Sequence, residues 1–113
     1  MWRDYSILTY RVWQDGGHGL TQKSLRYFDS LKDKLGQLQM IHIDEDRRMS
    51  MEIVSMNGVA LLSGVGCGYG GEGPTGTLTI LDKLGINNDV IKSLVISNRS
   101  VSITRDMVEF GSW

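Results

Sequence analysis

The chain reads as an α+β domain: a mainly antiparallel sheet with two helices packed on one face. Three observations predict this. Several short runs alternate apolar and polar residues at period two, two other stretches repeat apolar residues at helical spacing, and tight turns join consecutive strand-like runs. With 113 residues and no linker or internal repeat, residues 1–113 form a single domain.

The first run, Tyr5-Ser6-Ile7-Leu8-Thr9-Tyr10-Arg11-Val12-Trp13, is aromatic and β-branched, with Leu8, Tyr10 and Val12 on one face. It reads as a strand. Gln14-Asp15-Gly16-Gly17-His18-Gly19 then forms a loop. Leu25, Phe28, Leu31 and Leu35 recur at helical spacing, opposite Arg26, Asp29, Lys32 and Asp33. Thr21 suits the N-cap and Gly36 the position after the end, so the pattern predicts a helix over 21–35.

Gln37 to Ile43 alternates again and predicts a strand, followed by the charged turn Asp44-Glu45-Asp46-Arg47-Arg48. Met49–Met56 and Val59–Val65 flank Asn57-Gly58, the pair that best tolerates the positive φ of a type I′ turn, so they predict a hairpin. Leu78, Leu81 and Leu84 then recur up to Gly85-Ile86, a helix with a C-terminal stop. Asn87-Asn88-Asp89 can cap one more turn through Leu94. Leu94–Ile96 and Val101–Thr104, separated by Ser97–Ser100, read as a second hairpin. The tail from Asp106 to Trp113 fits neither period.

Composition narrows the function classes. Hydrophobic residues at 41% can build a core, and 12 basic against 13 acidic residues leave a net charge of −1, which argues against bulk nucleic-acid binding. No apolar stretch is long enough to cross a membrane, so no membrane partner is expected. The lone Cys67 excludes an intramolecular disulfide and predicts a cytoplasmic protein. Trp2 and Trp113, at the two ends, suggest docking surfaces and a homo-oligomer.

The segment Gly64-Val65-Gly66-Cys67-Gly68-Tyr69-Gly70-Gly71-Glu72-Gly73-Pro74-Thr75-Gly76 holds seven of the fourteen glycines, with the only proline and the only cysteine. Glycine weakens regular structure by about 0.5–1 kcal/mol, so this density suits a backbone that turns sharply or approaches something closely. Strand, glycine loop and helix in that order can cradle an anion on free N–H groups and a helix N-terminus. Gly68 to Gly73 satisfies G-x-G-x-x-G, but a hairpin strand precedes it where a dinucleotide fold needs a βαβ unit. Gly71 to Gly76 has P-loop glycine spacing, but Thr77-Leu78 stands where Lys-Ser/Thr is required. Neither nucleotide-binding family is therefore assigned.

The candidate ligand-binding residues are Gly68, Tyr69, Gly70, Gly71, Glu72, Gly73, Thr75, Gly76 and Thr77. His18 joins them if the two glycine loops meet, and Arg47 and Arg105 supply guanidinium clamps for phosphate. Tyr69 offers a stacking surface, Thr75 and Thr77 hydroxyl donors, and Glu72 suits a ribose or an amine more than a phosphate. The competing explanation is a glycine-rich crossover in which Pro74 starts a helix. Cys67 lacks the flanking glycines of a nucleophile elbow, and the acids around His42 lack the pattern of a metal site. No catalytic residue, metal or cofactor is assigned, and an enzyme is the less favoured class. The expectation is a small binding protein that captures, and so sequesters, a phosphorylated or nucleotide-like molecule. The alternative is a protein-interaction module, such as an immunity-type protein or inhibitor that binds a toxin or enzyme.

Overall fold

A computed structural model describes residues 10–86, 88–104 and 107. The elements in order are β1 (Arg11–Gln14), α1 (Thr21–Leu31), a 3₁₀ turn (Lys32–Lys34), β2 (Leu38–Asp44), β3 (Met51–Ser55), β4 (Gly58–Leu62), α2 (Glu72–Lys83), α3 (Asp89–Ser97) and β5 (Ser100–Thr104). The α+β class stands, with three helices rather than two. Leu94–Ile96, read as a strand, belongs to α3. Asn88 accounts for this: its side chain accepts from the N–H groups of Val90 and Ile91 and caps a full helix. The period-two appearance of so short an apolar run was ambiguous between the two structures.

The five strands run in the order β1-β4-β3-β2-β5. Three pairings are antiparallel, while β1 lies parallel to β4, which makes the sheet mixed. Alternation along each strand sends Ile41, Ile43, Met51, Ile53, Ala60, Leu62, Val101 and Ile103 to one buried face. Phe28 and Leu31 of α1, Ile80 and Leu81 of α2, and Ile91 and Val95 of α3 close over that face. The Tyr10–Val12 side of β1 faces away from the helices, with Val12 59% exposed, and Trp13 packs against the core instead. The earlier part of the first strand-like run, Trp2, the tail from Asp106 other than Met107, and Trp113 lie outside the described residues.

The Met49–Val65 hairpin forms around the pair Val54–Val59, but not with a type I′ turn, since neither Asn57 nor Gly58 has positive φ. Contacts from elsewhere set this connection. Asn57 donates through its side chain to the Lys34 carbonyl and through its N–H to the Leu35 carbonyl. A Cβ on Gly58 would run into the Arg11 carbonyl and the Trp13 ring, so the glycine admits β1 alongside β4. The helix predicted over 21–35 ends at Leu31 and tightens into the 3₁₀ turn. Thr21 is its first residue, not its cap: the N-cap is Leu20, and the Thr21 hydroxyl donates to the Gly64 carbonyl at 2.6 Å.

Candidate functional site

The pairings fix where the site must lie. β1 and β4 are parallel, and β2, two antiparallel steps from β4, runs the same way. The carboxyl ends of β1, β2 and β4 therefore share one edge of the sheet. Loops 15–20, 45–50 and 63–71 leave from that edge, and two of them enter helices, α1 and α2. Two β-loop-α units in parallel must bring both helix N-termini to the same end. This is where open sheets with parallel strands usually place ligands.

Between those N-termini lies a cleft of about 240 Å³. Gly19, in the loop before α1, and Thr21, the first residue of α1, line it on one side, and Glu72 and Gly73 of α2 on the other. Glu45, Arg47 and Ser50 enter from the loop after β2, and Ser63–Gly66 with Tyr69 from the loop after β4. Neither α1 nor α2 has a side-chain N-cap, in contrast to α3. Among the described residues, the N–H groups of Glu72 and Gly73 have no protein acceptor, and Pro74 removes a third donor from the first turn of α2. Unpaired amides and the positive dipole ends thus favour a negative or strongly accepting group in the cleft.

The two glycine loops do meet, and hydrogen bonds hold them together. Gly19 N–H donates to the Ser63 hydroxyl at 2.9 Å, and Gly64 N–H donates to the Ser24 hydroxyl at 2.9 Å. Asp15 is the common acceptor: Gly17 N–H, Ser63 N–H and the hydroxyls of Ser24 and Ser63 all donate to its carboxylate. Burial, the largest single influence, pushes this carboxyl's pKa up, but the four donors together outweigh it and hold it below its ordinary 3.8. Gly64 has no room for a Cβ because the Leu20 carbonyl occupies that space.

The loop after β2 is fixed in a similar way. The Glu45 carboxylate lies over Gly66, where a Cβ would overlap it, and accepts from Cys67 N–H at 3.3 Å. Asp44 accepts from Asp46 N–H, and Asp46 pairs with Arg99. Arg47, at the rim of the cleft, stands 3.7 Å from Asp44 with most of its side chain in solvent. The Tyr69 ring covers Gly71, and its hydroxyl reaches 2.8 Å from where a Gly73 Cβ would stand. Burial first, then the charges of Glu45, Cys67 and Glu72, push the Tyr69 phenol's pKa up, so at neutral pH it remains a hydrogen-bond donor.

Of the residues singled out from sequence, Arg47, Tyr69, Glu72 and Gly73 line the cleft. The other described ones stand apart from it. His18 is exposed beside Gly16. Gly68, with positive φ, packs on Arg99, and Gly70 faces open space. Gly71 lies beneath Tyr69, and Thr75 is exposed on α2. A Cβ on Gly76 would press on Thr21 at 2.6 Å and Val65 at 2.9 Å, so this glycine serves the approach of α1 to α2. The Thr77 hydroxyl is buried and donates to the Gly66 carbonyl at 2.7 Å. Arg105 lies outside the described residues.

Sequence reasoning missed Glu45, Ser50 and Ser63. Glu45 sits in a run that looks like a solvated turn, and nothing local distinguishes it from its acidic neighbours. Cys67 is fully buried, its sulfur 3.9 Å from the Ile43 carbonyl, and burial pushes its thiol pKa up. That is the setting of a packed core residue. His42 shares a 2.7 Å hydrogen bond with the Ser102 hydroxyl on the opposite sheet face. Among the described residues, no three His, Cys, Asp or Glu side chains cluster as metal ligands, and no helix is long and apolar enough to cross a membrane. Comparison with protein-family models, with curated proteins and with solved structures finds no match for this chain.

Proposed function

We propose that the cleft binds a small phosphorylated or nucleotide-like molecule and that the protein acts by capturing it, sequestering it without transforming it. The observation that carries this reading is the convergence of two helix N-termini without side-chain caps on one polar cleft. A phosphate would accept from the free amides of Glu72 and Gly73, with Arg47 able to add a charge-assisted contact. Glu45 and Glu72 would repel a bare anion, so they suit the hydroxyl or amino groups of the same ligand, and Tyr69 offers a ring face beside them. A volume of about 240 Å³ lies below the roughly 300–1,000 Å³ of pockets for drug-sized ligands, which favours a phosphate with a single pentose over a whole dinucleotide. We place the protein in the cytoplasm as a homo-oligomer.

Isothermal titration with inorganic phosphate and ribose 5-phosphate tests this. The pentose phosphate should bind more tightly than phosphate alone, and Gly73→Asp or Gly71→Asp should abolish binding with the circular dichroism spectrum unchanged. Binding that survives both substitutions rejects the site, and no heat from either ligand rejects the reading. The second reading, a protein-interaction module, draws on one observation: apolar side chains such as Val12 and Met56 stand exposed away from the cleft.

A further inference from the structure

All three helices cover one face of the sheet, and the opposite face carries an ordered pattern. Following the register from strand to strand, Val12 stands beside Val59, Val59 beside Val54, Val54 beside Met40 and Met40 beside Thr104. This row crosses all five strands, about 19 Å at the usual strand spacing, and four of its five members are apolar. The next row is Gln14, Leu61, Glu52, His42 and Ser102. The solvated face of a sheet normally carries polar side chains. Among the described strand residues this face carries no lysine or arginine, and Glu52 stands directly opposite His42.

The face also has a protrusion and a hollow, placed symmetrically. Two residues beyond Val54 along β3 comes Met56, 57% exposed, its sulfur touching the Gln39 amide at 3.6 Å. Two residues before Val54 comes Glu52, in the wall of a hollow of about 220 Å³ shared with His42, Met49 and Leu61. The apolar row lies midway between them, about 7 Å from each.

We propose that this face binds a second copy of the same chain through a two-fold axis running along the apolar row. A half-turn about that axis lays the row on its own copy. It reverses the strand direction, so Met56 of each copy falls over the Glu52–His42 hollow of the other. Each surface is then its own complement, as an isologous dimer requires. Charge does not oppose this: the described strand residues of the face carry two carboxylates, Glu52 beside the His42 imidazole and Asp44 at the end of β2, 3.7 Å from the Arg47 guanidinium, and the whole chain has a net charge of −1. The hollow shares Arg47 and Ser50 with the cleft, so the dimer borders the ligand site, though the inference stands on separate observations.

Sedimentation velocity of the full chain from about 1 µM to about 300 µM tests the proposal. The expected result is a concentration-dependent dimer. Val54→Lys and Met56→Asp should each weaken it at least tenfold, while Val90→Asp, at a 68% exposed position on α3, should leave it intact. Met56→Asp keeps the test decisive even if Val54→Lys disturbs the sheet, because Met56 is already exposed. A chain that stays monomeric at the highest concentration overturns the proposal, whatever else covers the face. So does a dimer that survives Met56→Asp, or one that Val90→Asp breaks equally.

Discussion

Asp15 accepts four hydrogen bonds in a partly buried setting, and it ties the loop after β1 to the loop after β4. Replacing it with Asn keeps the shape but removes the charge and turns one acceptor into a donor. The expected loss is about 1–3 kcal/mol, toward the lower end because the site is not fully dry. The pH dependence follows from the depressed pKa. Stability from the carboxylate is present above the ordinary value of 3.8 and fades as pH falls through the lower folded-state value. Urea melts of wild type and Asp15→Asn should therefore differ at pH 7 and converge only as pH falls below 3.8; a gap independent of pH would count against the carboxylate's role. Cys67 gives a second prediction at this scale. A buried thiol with a raised pKa should react with a disulfide reagent only on unfolding, and labelling of the native protein at the rate of a free thiol would contradict the burial. At this scale the sequence was only partly informative. Tyr69, Glu72, Gly73 and Arg47 were recognisable by type, but whether a hydroxyl faces a ligand or its own backbone is decided by partners far along the chain. Thr77, which bonds the Gly66 carbonyl, is the clearest instance.

The helices show where local chemistry governs and where packing overrides it. Asn88 is an ordinary N-cap, and Asn88→Ala should cost about 1 kcal/mol by chemical denaturation, with α3 fraying first. Gly76 sets two effects against each other. In a helix interior, Gly76→Ala should gain about 1 kcal/mol from propensity. A Cβ there would stand 2.6 Å from Thr21 Cγ2 and 2.9 Å from Val65 Cγ1, and overpacking of this kind costs about 1–3 kcal/mol. Packing should win, leaving a net loss of about 1 kcal/mol by urea denaturation; a stabilised Gly76→Ala protein would show that α1 and α2 can move apart freely. Element types were legible where a period ran long, as along α1 and β2. The start of α2 was legible only through the competing reading in which Pro74 begins a helix; the helix begins two residues earlier, at Glu72, and holds there because Gly73 and Gly76 let it sit close to the β4 loop and α1. The short run at Leu94–Ile96 fitted either period, and the cap at Asn88 decided it.

The topology of the whole molecule was the least legible feature, because strand order depends on contacts between residues remote in sequence. The parallel pairing of β1 with β4 joins residues 47 positions apart, as in Arg11 with Gly58. No turn signal specifies it; it depends on a glycine that admits the Arg11 carbonyl and on Asp15 securing the strand's far end. That arrangement also assembles the cleft, since without it the N-terminus of α1 would not face that of α2. Stability should therefore be graded across the sheet. β2 and β3 are paired on both sides, whereas β1 has a single partner and four residues, so it should open by local unfolding well before the centre. Amide hydrogen exchange should find the N–H groups of β3 the slowest and those of Arg11 and Asp15, bonded to Asn57 and Leu61, among the fastest of the sheet. Asp15→Asn should accelerate exchange in β1 and at the start of α1 together while leaving β2 and β3 near their wild-type rates. The same substitution should weaken ribose 5-phosphate binding although Asp15 does not itself line the cleft, because it lowers the fraction of molecules in which the two helix N-termini are aligned. If exchange in β1 and affinity fail to change together, the cleft does not depend on β1, and the link from strand pairing to ligand capture is broken.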